Sequence, residues 1–174
     1  MKTIALSTIT MVLGLASGAA LSQSTAPNDA QIAGIVTAAN TVDINAGKLA
    51  EQQSGNEQVK QFARQMVTDH TGVNKLASAL VEKLKVKPEE SATSKGLKDA
   101  GAASMSKLKA LKGRDFDRAY IANEASYHQT VIDALDTTLI PNAKNSELKA
   151  LLVKVRPAFV AHLEHAKQIQ ASMQ

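Results

Sequence analysis

Apolar residues recur at alternating steps of three and four along most of this chain, a spacing that buries one face of an α-helix and nothing else. The first run places Ile32, Ile35, Ala39, Val42, Ala46 and Leu49 on one side. The second aligns Val59, Phe62, Met66, His70, Val73, Ala77 and Leu80. Phe116, Tyr120, Glu124, Tyr127, Val131, Leu135 and Leu139 form a third stripe, and Leu148, Leu152, Val155, Phe159, His162, Ala166 and Ile169 a fourth. Alternation with a period of two is missing, so neither a sheet nor a membrane barrel is expected.

Local signals punctuate the stripes. Asn28 or Asp29 after Pro27 can cap the first helix, and Ser54-Gly55-Asn56 makes a short turn with Asn56 as the next N-cap. Pro88 stops the second helix. The segment from about 85 to 114 is too long for an ordinary bundle connection, and its pattern predicts a helix over Ser94 to Leu111 with Gly113 as C-cap. Gly96 and Gly101 should weaken that helix. Asp115 is the expected N-cap of the third long helix, Pro141 its end, and Pro157 an expected kink in the fourth. Two antiparallel hairpins joined by one long connection define the expected class. It is all-α, a ferritin-like four-helix bundle with a long, partly helical crossover between the second and third helices.

The first residues read differently. Met1-Lys2, an apolar run from Ile4 to Leu15 and the small residues Ala16 to Ser22 resemble an export signal over 1–22, leaving 23–174 as one bundle domain. The mature chain is then expected in the periplasm or secreted, with peripheral outer-membrane association also open. With Cys 0 it has no disulfide, thiolate ligand or acylated cysteine, so packing alone holds it. Nine of the basic residues fall between Lys83 and Arg114 against only Glu89, Glu90 and Asp99. A basic crossover of this kind can rest on an anionic membrane surface or envelope polymer. Aromatic residues make up only 3% of the chain, too few for a base-stacking platform, so nucleic acid is not an expected partner.

The four long helices each carry a metal-capable side chain near mid-length. These are Asp43, His70, the i,i+4 pair Glu124 and His128, and the i,i+3 pair His162 and His165. Imidazoles with one or two carboxylates suit zinc, iron or copper better than calcium or magnesium. The candidate ligands are Asp43, His70, Glu124, His128 and His162; Asp69, Asp117, Tyr120 and His165 are candidates for a surrounding polar network. A second reading stays open, in which the whole set is a satisfied network that fixes helix register. A di-iron site would show Glu-x-x-His on two helices, but Val67 and Phe159 precede His70 and His162 by three. Phosphate loops, zinc-protease helices and nucleophile elbows are likewise missing from the sequence.

Several pieces together resemble a bacterial family called domain of unknown function 4142, often labelled "predicted outer membrane protein". They are Phe62-Ala63-x-x-Met66-Val67-x-Asp69-His70, Phe116-Asp117-x-x-Tyr120 with His128, and Pro157-x-x-x-x-His162-Leu163-x-x-Ala166. The resemblance implies a ferritin-like bundle in the cell envelope without a settled activity. It carries the family pattern to Asp69, His70, Asp117, Tyr120, His128 and His162, and sets Asp43 where the family usually has Glu. The expected function is an exported protein that binds a metal or small ligand in its core, in stress protection. The alternative is a non-catalytic interaction protein working through its basic crossover.

Overall fold

The computed structural model describes residues 26–173, so the expected export signal lies outside the described residues. Helix α1 spans Asp29–Gln53, α2 Glu57–Lys83, α3 Ala92–Ala110 and α4 Gly113–Ala134. A π-helical stretch, Leu135–Leu139, and a last turn α5, Ile140–Asn142, extend α4, and α6 spans Ser146–Ser172. No strand occurs among the described residues, and no described helix is long and apolar enough to cross a membrane.

Contacts at the helix ends fix the topology. The Asp29 carboxylate accepts from the backbone N–H groups of Lys144 and Asn145, which joins the start of α1 to the start of α6. At the other end Gln53 donates to the carbonyls of Leu108 and Leu111, and Ser54 donates to Asp117. Helices α1 and α6 therefore run one way and α2 and α4 the other. This is the up-down-down-up order expected of a four-helix bundle with one long crossover.

The crossover is a strap followed by a helix laid along the outside of α1. Glu89 N–H donates to the Ala30 carbonyl at 2.9 Å, pinning the strap across the first turn of α1. It crosses at Gly34, where a Cβ would overlap the Glu89 carbonyl. Gly34→Ala must lift the strap, and thermal unfolding should show a loss of about 1–3 kcal/mol, as overpacking usually causes. An unchanged melting temperature would mean that the strap is not fixed there. Gly101, expected only to weaken α3, is where that helix touches α1: a Cβ there would stand 2.7 Å from both Val42 methyls. Because α3 covers its outer side, α1 is buried on more than its predicted stripe, with Ala33, Val36, Ala38, Asn40, Asp43 and Ala50 all inside.

Three predicted boundaries shift. A Ser91–Ser94 capping box starts α3 two residues before the expected Ser94. Lys112, not Asp115, holds the N-cap position of α4, and Asp115 sits in its first turn. Gly113 is the reason, since its φ of +55° turns the chain straight from α3 into α4. Finally, the third long helix does not stop at Pro141. It widens to i→i−5 bonding, with Ile140 N–H donating to the Leu135 carbonyl, and carries Pro141 in its last turn. Helix α6 runs through Pro157, whose missing N–H leaves the Val153 carbonyl on a solvent-facing residue that is 52% exposed.

Candidate metal centre

The mid-helix positions meet at one height, between two apolar clusters that fill the ends of the bundle. Asp43 comes from α1, His70 from α2, Glu124 and His128 from α4 and His162 from α6, and all five are buried to 3% exposure or less. The ring centroids of His70, His128 and His162 lie 5.3–5.5 Å apart. Phe159 packs against His70 and His128, closing one side.

Each ring is held by one nitrogen and presents the other. His128 Nδ1–H donates to the Glu124 carbonyl at 3.0 Å, and His162 Nε2–H donates to Asp69 Oδ2 at 2.9 Å. Both partners are acceptors only, so they fix the tautomers. His70 Nδ1 is bonded to Asn40 Oδ1 at 2.7 Å. The remaining nitrogens, His70 Nε2, His128 Nε2 and His162 Nδ1, have no hydrogen-bond partner. One nitrogen from each of the three rings lies within 4.8 Å of one from each of the others. Between them lies Asp43, with Oδ2 at 3.0 Å from His70 Nε2 and 3.4 Å from His128 Nε2. In neutral rings these are lone pairs facing a carboxylate, an arrangement that repels unless a proton or a metal ion sits among them.

The electrostatics follow from burial and from Asp43. Burial pushes the Asp43 carboxyl up, but the close approach of His70, and the charge that His70, His128 or His162 would carry on gaining a proton, outweigh this and hold it below the ordinary range. Burial, and then the Asp43 charge, push Glu124 well above the usual carboxylate value, so Glu124 is a neutral acid. Desolvation lowers His128 to about 4 and depresses His162 too, which keeps both rings available as neutral ligands. Tyr120, fully buried with an unpartnered hydroxyl, is raised well above its ordinary value, chiefly by burial.

Donors of a tetrahedral ion at about 2.0–2.1 Å stand about 3.3 Å apart, close to the two Asp43–imidazole distances. The residues present therefore fit a transition metal: three converging imidazoles, each oriented by an outer partner, with the Asp43 carboxylate beside two of them. A second carboxylate, Glu124, forms another possible set with Asp43 and His128.

Not every predicted residue belongs here. Asp69 does act on His162, from a side chain that is 41% exposed. Asp117 is buried elsewhere and accepts from Ser54 Oγ, pinning the α1–α2 turn. His165 packs edge-on to Phe62 at 5.2 Å and faces away from the cluster. Tyr127 is half-buried and donates to the Ala39 carbonyl. Sequence reasoning missed Asn40, whose one signal is its place three residues before Asp43 on the same helix face.

A family model described as "Domain of unknown function (DUF4142)" matches residues 14–169. No curated protein matches the chain. Two solved structures share its architecture. One, described as CopM in the Cu(II)-bound form, is 17% identical with a TM-score of 0.65, covering 84% of this chain and 98% of its own. The other, described as "putative secreted protein DUF305 from Streptomyces coelicolor", is 11% identical with a TM-score of 0.68, covering 82% of this chain and 91% of its own. At these identities the likeness is one of fold.

Proposed function

We propose that this chain, which belongs to the DUF4142 family, is an exported helical bundle that binds one transition-metal ion in its core, zinc or copper before iron. The observation that carries this is the convergence of three buried imidazoles, two of which present unpartnered nitrogens to Asp43 Oδ2 at 3.0 and 3.4 Å. His70, His128, His162 and Asp43 are the ligands, with the Glu124 carboxylate a further donor beside Asp43 and His128; Asn40, the Glu124 carbonyl and Asp69 orient them. Three nitrogens and few carboxylates favour the nitrogen-preferring metals, and the affinity order places copper(II) above zinc and iron(II). That one fold neighbour is described with Cu(II) agrees with this choice but does not carry it. A role in holding or buffering metal outside the cytoplasm follows, and it narrows the expectation of stress protection to metal stress.

The test is retention. The chain, loaded separately with zinc and with copper(II) and then desalted, should keep about one equivalent and melt at a higher temperature than the metal-free form. A chain that keeps neither metal and shows no melting shift contradicts the reading.

A second reading concerns the crossover. Among the described residues Lys83, Lys95 and Lys98 are engaged by Glu147, Asp99 and Glu90, whereas Lys107, Lys109, Lys112 and Arg114 make no ion pair. These four cluster around the α3–α4 junction and can meet an anionic surface. Replacing Lys107, Lys109 and Lys112 with Gln should weaken salt-sensitive binding to phosphatidylglycerol vesicles by about 3 kcal/mol, roughly one per charge. Equal binding by the wild type and the triple variant removes the crossover as a membrane contact.

A further inference from the structure

Beside the imidazole cluster the helices leave a cavity of about 110 Å³. Ile35, Val36, Val131, Leu135 and Leu152 line it, and its accessible wall is wholly apolar. Two further lining residues belong to the metal centre as well. Asn40 holds His70 Nδ1, and Phe159 stands 5.0 Å from the His70 ring and 5.8 Å from the His128 ring. Leu135 and Leu139 of the π-helical stretch form part of the wall, and such stretches gather at functional sites. Thr93 and Thr130 mark the side on which the cavity meets solvent, since both are exposed.

Size and polarity limit the occupant. A water needs two to four polar partners, which this wall does not supply, so water that enters is poorly held and readily displaced. A dry cavity of about 150 Å³ admits benzene or xenon, so a space of 110 Å³ suits something smaller than benzene. Charged and hydrogen-bonding molecules would lose their hydration with nothing to replace it. Contact with the wall by dispersion is all the site offers, and that suits a compact, non-polar molecule.

We propose that this cavity is a binding site for a small uncharged apolar molecule of the size class of dioxygen, held one side chain away from His70 and His128. It stands independently of the metal reading, because its wall is complete without any ion.

The test uses the metal-free full chain with labelled methyl groups, under nitrogen and then under dissolved dioxygen. Paramagnetic relaxation should rise several-fold more at the methyls of Ile35, Val131, Leu135 and Leu152 than at other equally buried methyls. Xenon, as a second probe, should shift the same signals. Ala134→Leu, which projects three further carbons into the space, should abolish both effects, and Val131→Ile should reduce them if the larger change disturbs folding. Enhancement that follows only solvent exposure, or water signals coupled to these methyls that xenon does not displace, would overturn the assignment. Because no metal is added, a negative result leaves metal retention untouched, and a failure to retain metal leaves this result untouched.

Discussion

His128→Ala is expected to abolish metal retention and the metal-dependent rise in melting temperature. His128 belongs to both groups of converging donors, the three imidazoles and the set with Asp43 and Glu124. Removing an outer partner of a ligand usually lowers metal affinity about 10–100-fold, so loss of the ligand itself should exceed about 100-fold. At a metal concentration near 100 times the wild-type Kd, binding stabilises the fold by about 2.7 kcal/mol. That amounts to roughly 5–10 °C for a domain of this size, and the variant should show none of it. Asn40→Ala, which only frees His70 Nδ1, should fall in the weaker 10–100-fold range. His165→Ala should bind as wild type, since His165 packs on Phe62 rather than on the cluster. Calorimetric titration of the three variants, with helical content checked by circular dichroism, would rank them. If His128→Ala keeps the wild-type affinity, the cluster is a polar network and not a metal centre.

The same residues show how far a sequence can be read. Periodicity gave the side of each helix on which a residue lies, which was enough for the bundle, its hairpins and the inward aim of His70, His128 and His162. It gave relative height poorly. Asp117 lies two turns, about 10 Å, along α4 from Glu124, and that distance carries it out of the cluster to the α1–α2 turn. His165 is one turn beyond His162 and faces Phe62. Asn40 was missed for another reason. A stripe model has only one buried face, while α1 is covered by α2, α4 and α3 together, and the α3 contact depends on the small size of Gly101. What a lone glycine permits on a neighbouring helix is not visible in the spacing of its own. The boundary at Gly113 is similar: a positive φ replaced the capping side chain that Asp115 seemed to offer.

Glu124→Gln is expected to stabilise the metal-free chain while weakening its hold on metal. Glu124 is fully buried beside the ionised Asp43, and burial first, then that charge, raises its carboxyl well above the ordinary 4.5. A group with a raised folded-state value supports folding below its unfolded-state value and loses that contribution as pH rises through the folded one. At neutral pH the wild type must take up a proton at Glu124 in order to fold; glutamine has no such requirement. Its amide N–H can donate towards the ionised Asp43 without any proton uptake. By proton linkage the gain grows by about 1.4 kcal/mol for each pH unit above the unfolded-state value, up to the raised folded-state one. Urea unfolding at several pH values should show the two chains nearly equal near pH 4, with the variant pulling ahead as pH increases. In the presence of zinc or copper the order should narrow or reverse, because the amide cannot supply the negative oxygen that Glu124 offers beside Asp43 and His128. A variant less stable than wild type at neutral pH would mean that the carboxylate is ionised and structurally paired. A stabilised variant with unchanged affinity would remove Glu124 from the donor set and leave the three imidazoles and Asp43. Of the two expected effects, the loss of metal affinity is the one that separates a binding centre from a polar network kept for packing, since the gain in stability of the empty chain follows from Glu124 burial in either case.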